Sequence, residues 1–463
     1  MRYMAAMRTT LALVLLAALA GCNQDHDDTS SATGQQKIAH LVVIYLENHS
    51  FDNLYGQFAG AEGLTQAMAS GTMVQNDMTG AAYATLPPVF DSSMKMPDTR
   101  FPANLANQPF DITQFVMASQ QTPDLVHRYY QEQAQIDGGK MDHFAAISDA
   151  KGLVMGYYPT ANLPLAKLAQ QYTLCDHFFH SAFGGSFLNH IYLISAQVPT
   201  FPNAPAAMVA NVDGSGKLVS DGAVTPDGHV VNTAFSVNHP HPASVEMKAP
   251  EQLVPNQTFK TIGDELSEAG VSWAWYAGGW NDALGGKPDP QFQYHHQPFV
   301  YFQSFADGTK AKSDHLKDEV DFIGSLSNDS MPAVSFIKPI GENNEHPGYT
   351  DVVHGEQHVM SLVQLIQASK HWKSTAIVIT YDEHGGFWDH VPPPQGDIWG
   401  PGARVPAIIV SPFAKKGFVD NTRYETASIL SFIEHRWSVG ALGGHDATAK
   451  DLSNAFDFTQ PAK

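Results

Sequence analysis

Cysteine is almost missing from this chain, at 2 in 463 residues. No disulfide framework can be built from so few, so stability must come from a core. The 43% hydrophobic content is enough over that length for one large core or two ordinary ones. Charge is also sparse, at 16%, which excludes a largely disordered chain. Positive charge is the scarcer kind: 26 Lys and Arg stand against 46 Asp and Glu, a net charge of −20. That balance excludes nucleic acid and acidic membrane patches as general partners, so any phosphate the chain handles must be met by a local positive site. Runs long and apolar enough to cross a bilayer are lacking too. The longest, "LALVLLAALAGC", follows Arg2 and Arg8 and reads as the core of an export signal.

That run ends in Leu19-Ala20-Gly21-Cys22, which resembles the lipobox of bacterial lipoproteins, in which the Cys becomes the lipidated first residue. The expected organisation is a signal peptide over 1–21, a lipidated Cys22 with a polar tether over 22–37, and a single domain over 38–463. The polar "NQDHDDTSSATGQQK" after Cys22 suits such a tether. Export and anchoring to the bacterial cell envelope, in the periplasm or at the outer membrane, follow from this reading; an ordinary cleaved signal is the competing one. Lipidation of Cys22 leaves Cys175, in "YTLCDHFF", read as a small buried hydrophobe.

Five continuous apolar runs have strand length: "LVVIYL" (41–46), "VSWAWYA" (271–277), "AVSFI" (333–337), "AIVITY" (376–381) and "PAIIVS" (406–411). Continuous runs suit strands buried on both faces of a parallel sheet. Helical patterns lie between them in "PLAKLAQQY", "FKTIGDELSEAG", "GEQHVMSLVQLIQASKHW" and "ETASILSFIEHRW". The alternation predicts an α/β domain with helices on both faces of a mostly parallel sheet. Residues 199–255, rich in Pro, Gly, Asn and Asp, read as a loop-rich insertion or lid.

Ligands of open α/β sheets sit outside the carboxyl ends of the strands. Two runs end there in pairs of oxygen-bearing side chains: Glu47-Asn48 and Asp382-Glu383. Three carboxylates and an amide at one sheet edge repel unless a cation lies between them, and an all-oxygen set favours Mg²⁺, Ca²⁺ or Mn²⁺. Each pair alone is equally compatible with capping or an ordinary ion pair. A third piece, "GGSFLNHIYLISA", puts Ser186 at a helix start, where anions are welcome, with Asn189 on the same face. Simple N-capping by Ser186 is the alternative. The motif is not the G-x-S-x-G elbow, so activation of the hydroxyl by a bound cation fits better than a His-based triad. His143, His295, His296 and His346 fall in Gly-, Pro- or Asn-rich stretches and read as loop residues able to bind anions when protonated. His354 and His358, in a helical stretch, are left as surface residues.

Together "IYLENHSFDNLYG", "GGSFLNH", "EHPG", "YDEHGGFWDHVPPP" and "GARVPAIIVSPFAKKGFV" resemble the bacterial phosphoesterase family of the AcpA-type acid phosphatases and the phosphatidylcholine-hydrolysing phospholipases C, over about 38–437. The resemblance implies an alkaline-phosphatase-like three-layer α/β core and one divalent cation. It assigns that cation to Glu47, Asn48, Ser186, Asp382 and Glu383, makes Ser186 the nucleophile, and gives phosphate contacts to His143, Asn189, His295, His296 and His346. Asp389 and His390 are implied to order the metal loop. Where the phospholipase branch usually has Thr, and often Arg after the following Asn, this chain has Ser186 and Asn189-His190. The expectation is therefore an acid phosphatase forming a phosphoserine on small phosphorylated substrates, most active below neutral pH through protonated histidines. The alternatives are a phospholipase C, with Trp273, Trp275, Tyr276 and Trp280 offered as a choline pocket, and a non-catalytic phospho-ligand-binding lipoprotein. The sequence leaves the oligomeric state open.

Overall fold

The computed structural model describes residues 34–462. The signal peptide, Cys22 and most of the expected tether lie outside them. The tether's last residues, Gly34–Lys37, form a short 3-10 turn held to the C-terminal segment by Lys37 Nζ to Phe458 O (2.7 Å) and Gln35 Nε2 to Asp451 (2.8 Å).

Eight strands build the main sheet: β1 (His40–Leu46), β2 (Thr173–Cys175), β3 (Trp273–Ala277), β4 (Leu316–Lys317), β5 (Val334–Lys338), β6 (Thr375–Tyr381), β7 (Ala407–Val410) and β8 (Phe418–Asp420). Their order is β4-β3-β5-β1-β6-β7-β2-β8, and β7 alone runs against the rest. The five apolar runs are all strands, as their continuity predicted, because both faces are covered. The strands the sequence did not signal, β2, β4 and β8, have two or three residues each, too few for a periodicity.

The covering helices are α1 (Pro164–Ala169), α2 (Ser186–Ser195), α3 (Ile262–Glu268), α4 (Val352–Ala368) and α5 (Ala427–Trp437). On β1, Tyr45 faces α2, its hydroxyl donating to Asn189 O and its ring meeting His190. On the opposite face Tyr381 donates to Glu345 (2.6 Å), beside α4. Two helical layers around one sheet give the three-layer α/β core. The insertion adds a small hairpin, Asn211–Val212 with Leu218–Ser220, and buries Val224, Val230, Val231 and Val254. It packs as a wall on the core.

Register sets up the site. Leu46 pairs with Tyr381 across β1 and β6, so Glu47-Asn48 and Asp382-Glu383 leave the sheet side by side. On the other flank of β1, Ile44 pairs with Ile337 of β5, which delivers Lys338 to the same edge. Trp273, Trp275, Tyr276 and Trp280 are buried core residues, and none lines the cleft at this edge, so they form no choline pocket.

Candidate active site

Ser186 is the first residue of α2. Its N-cap is Gly185 and no side chain caps the helix, so the hydroxyl is not consumed by capping and faces a cleft of about 390 Å³. Helix N-terminal N–H groups beside it favour an anion. The two double glycines explain how the loops close here. A Cβ on Gly184 would fall 2.6 Å from Tyr129 N, and one on Gly185 2.6 Å from His127 O. Gly386, at φ +74°, would meet Val126 O at 2.6 Å. Both turns press on the segment around residue 127, and only glycine permits that approach.

The four expected cation ligands share one arrangement. Glu47 Oε2 accepts from Asn344 Nδ2 (2.6 Å), Asp382 Oδ1 from Glu383 N (2.8 Å), and Glu383 Oε2 from Gly385 N (2.5 Å). In each case the second oxygen is buried without a hydrogen-bond partner. Asn48 Nδ2 meets His127 Nε2 at 3.3 Å, which turns Asn48 Oδ1 toward Ser186 Oγ, 3.4 Å away. His127 Nδ1 faces Leu125 O (2.5 Å), an acceptor, so Nδ1 carries the proton and Nε2 receives the Asn48 amide. Unpartnered oxygens of Asp382 and Glu383, a Glu47 oxygen that faces Lys338, an amide oxygen and a hydroxyl, all buried at one sheet edge, fit a hard divalent cation.

Electrostatics agree. Burial pushes Asp382 up to about 7 and, with Asp382 beside it, Glu383 well above the usual carboxylate range. Burial would raise Glu47 too, but His296 and Lys338 hold it well below that range. Lys338 Nζ lies 2.9 Å from Glu47 Oε1 and 3.7 Å from Asp382 Oδ2, and His296 Nε2 lies 2.5 Å from Glu47 Oε1. None of these contacts has hydrogen-bond angles. Lys338 is thus the fixed positive charge that the sequence required and did not point to, because an isolated Lys at a strand end carries no motif.

The cleft is lined by Ser186, His295, His296 and His346 from the expected set, together with His127. His190, on α2, stacks on His296 (5.3 Å between ring centres) and faces Asp382 at 3.6 Å. Two expected contacts fall elsewhere. His143 starts the short helix Phe144–Ile147, 3.9 Å from Asp137 and away from the cleft. Asn189 does share the Ser186 face of the helix, but its amide is spent on Ala182 N and O (3.1 and 2.9 Å) and on the Gly184 and Gly185 carbonyls, so it shapes the nucleophile loop. For His295 and His296 the expectation of protonated rings is also corrected. Burial holds His296 at about 4 and His295 and His190 well below their ordinary value, so these rings are neutral near pH 7 and offer single N–H donors. His127, in "TPDLVHRYY", was findable as another loop histidine, although it lacks the glycine-rich setting used to choose the others.

The model of the Phosphoesterase family matches residues 38–440. The chain belongs to the Phosphoesterase family. As a member, it is a hydrolase of phosphoric esters. It is 25% identical over 471 residues to "Phospholipase C B" of Mycobacterium tuberculosis, covering 92% of this chain and 78% of that protein. It is 24% identical over 465 residues to "Non-hemolytic phospholipase C" of Pseudomonas aeruginosa, covering 92% of this chain and 58% of that one. Among solved structures it is similar to a protein in the alkaline phosphatase superfamily from Vibrio parahaemolyticus (13% identity, 64% and 65% coverage, TM-score 0.35) and to murine ectonucleotide pyrophosphatase/phosphodiesterase 5 (9%, 64% and 95%, TM-score 0.36).

Proposed function

We propose that this phosphoesterase cleaves phosphodiesters as a phospholipase C, with Ser186 as nucleophile. The observation that carries the chemistry is the set of free oxygens around the Ser186 hydroxyl at the start of α2. Glu47, Asn48, Asp382, Glu383 and Ser186 would hold the cation, whose contribution is to lower the pKa of the serine hydroxyl. Ser186 Oγ gives up its proton to water in the cleft and bonds to phosphorus, and the bond from phosphorus to the leaving alcohol breaks in line with the attack. The alcohol takes a proton from water as it leaves, and a second water then attacks phosphorus, releases the phosphorylated group and returns a proton to Ser186 Oγ. Lys338, the α2 N–H groups and the N–H of His295 or His296 are placed to meet the non-bridging oxygens.

The diester reading is supported by relatives named phospholipase C along 92% of the chain. It is also supported by the cleft wall, where Asp124 and Asp149 offer negative charge to a cationic headgroup. The acid phosphatase reading is the second, resting on Ser186 and His190 where the phospholipase branch has Thr and Arg. A soluble form starting at Asn23 decides between them by comparing phosphocholine released from phosphatidylcholine with phosphate released from a simple monoester. Dominant phosphocholine release supports the proposal, and a dominant monoesterase rate overturns it. Export with a lipid on Cys22 belongs to the same reading. It requires that labelled fatty acid enter the full chain and that Cys22→Ser block it; unlabelled wild-type chain would contradict it.

A further inference from the structure

Far along the insertion from Ser186, the stretch "NHPHPASVE" folds His239, His241 and Glu246 together. The two imidazoles stack at 4.5 Å with 25° between their planes, so their Nε2 atoms lie on one side. Each Nε2 faces a different oxygen of Glu246, His239 to Oε1 at 3.8 Å and His241 to Oε2 at 3.8 Å. All the ligand atoms lie within 4.8 Å of one another.

The far side of each ring fixes its tautomer. His239 Nδ1 lies 2.9 Å from Asp307 Oδ2, and His241 Nδ1 lies 3.2 Å from Asn238 O. A carboxylate and a carbonyl can only accept, so in the neutral rings both Nδ1 atoms carry the proton and both Nε2 atoms present lone pairs toward the carboxylate. Metal-bound histidines are oriented in this way, by a carboxylate or carbonyl behind the ring. His241 is the second, independent observation. Its side chain is 2% exposed and its Nε2 has no hydrogen-bond partner among the described residues. Asp307 is itself held by Lys312 Nζ (2.5 Å), which also reaches His239 O. Asn238 is anchored to Asn256 and Val300. The groups behind the ligands are fixed, while His239 and Glu246, 58% and 52% exposed, leave an entry path.

We propose that His239, His241 and Glu246 bind a divalent transition metal such as Zn²⁺, apart from the catalytic cation. Two imidazole nitrogens and one carboxylate oxygen suit a borderline-soft ion with an open fourth position for water, whereas the all-oxygen set around Ser186 suits a hard one. The bound ion clamps the insertion, through Asp307, onto the core. The same insertion contributes Asn232 and Thr233 to the cleft wall.

Zn²⁺ titration calorimetry on the full chain, saturated with Mg²⁺, tests this against His239→Ala and Glu246→Gln, both at exposed positions that do not threaten folding. Wild type is expected to take up one more equivalent of Zn²⁺ than either variant, and its melting temperature to rise with Zn²⁺ where theirs does not. Asp307→Asn keeps the equivalent but binds it roughly 10- to 100-fold more weakly. Phosphoester hydrolysis is the same in wild type and Glu246→Gln. Equal Zn²⁺ uptake in wild type and either variant overturns the proposal.

Discussion

Two clusters of buried charge lie close to the carboxyl edge of the sheet, and they are built in opposite ways. In the first, Arg404 donates to Asp389 (2.8 and 3.2 Å), to Asp52 (3.3 Å) and to the Glu62 and Asp176 carbonyls (2.9 and 2.8 Å). Asp52 also accepts from His390 N and faces His390 Nδ1 at 2.6 Å. The carboxylates there are each hydrogen-bonded by the guanidinium. Around Ser186, Glu47, Asp382 and Glu383 each keep one buried oxygen with no hydrogen-bond partner among the described residues, although the Glu47 one faces Lys338 Nζ at 2.9 Å. Such oxygens cost stability, and a fold retains them where something else binds. The first cluster therefore holds the loop that carries the second in place. That arrangement fits the ordering role implied for Asp389 and His390.

The comparison can be broken by mutation. Ser186→Ala should cost the largest factor, about 10³-fold or more in phosphoester turnover, with an unchanged melting curve. Arg404→Met strands two carboxylates and should destabilise the chain by about 3–5 kcal/mol in thermal or denaturant unfolding. Glu383→Gln separates the two clusters most cleanly: without added cation its stability should stay within about 1 kcal/mol of wild type, because Glu383 Oε1 faces only His127 Nε2, at 3.9 Å, in a ring whose proton sits on Nδ1, while activity collapses. A loss as large as that of Arg404→Met would erase the distinction.

Two smaller effects sharpen it through pH. Asp382 is pushed up to about 7 by burial, so a cation must displace its proton below that pH. Cation affinity measured by calorimetry should fall as pH drops from about 7 toward 5. On the other face of the sheet, burial raises Glu356 to about 8, in a side chain whose Oε2 accepts from Leu165 N (2.9 Å). A raised carboxyl binds its proton more tightly folded than unfolded, so its contribution is complete below the unfolded value of about 4.3 and is lost as pH rises through 8. Glu356→Gln should flatten that decline in stability between pH 5 and 8; an unchanged slope would remove Glu356 from the account.

The sheet was legible because β1, β3, β5, β6 and β7 are continuous apolar runs. Four of the proposed cation ligands were legible because acidic or amide residues follow β1 and β6 at once. The antiparallel direction of β7 was not, since burial on both faces looks the same either way. His127 and Lys338 were hidden for another reason: one is brought in by glycine contacts between distant loops, and the other by strand register. Asn189 shows the reverse error, in which correct helical spacing said nothing about which partners its amide would find.

The central claim is that the free oxygens around Ser186 hold the cation on which turnover depends. The most direct test is phosphoester hydrolysis by the chain after chelation, once elemental analysis finds no divalent cation left. The account predicts that turnover falls to the level of Ser186→Ala and returns on adding Mg²⁺, Ca²⁺ or Mn²⁺ to wild type but not to Glu383→Gln. Full turnover in the cation-free chain would contradict it.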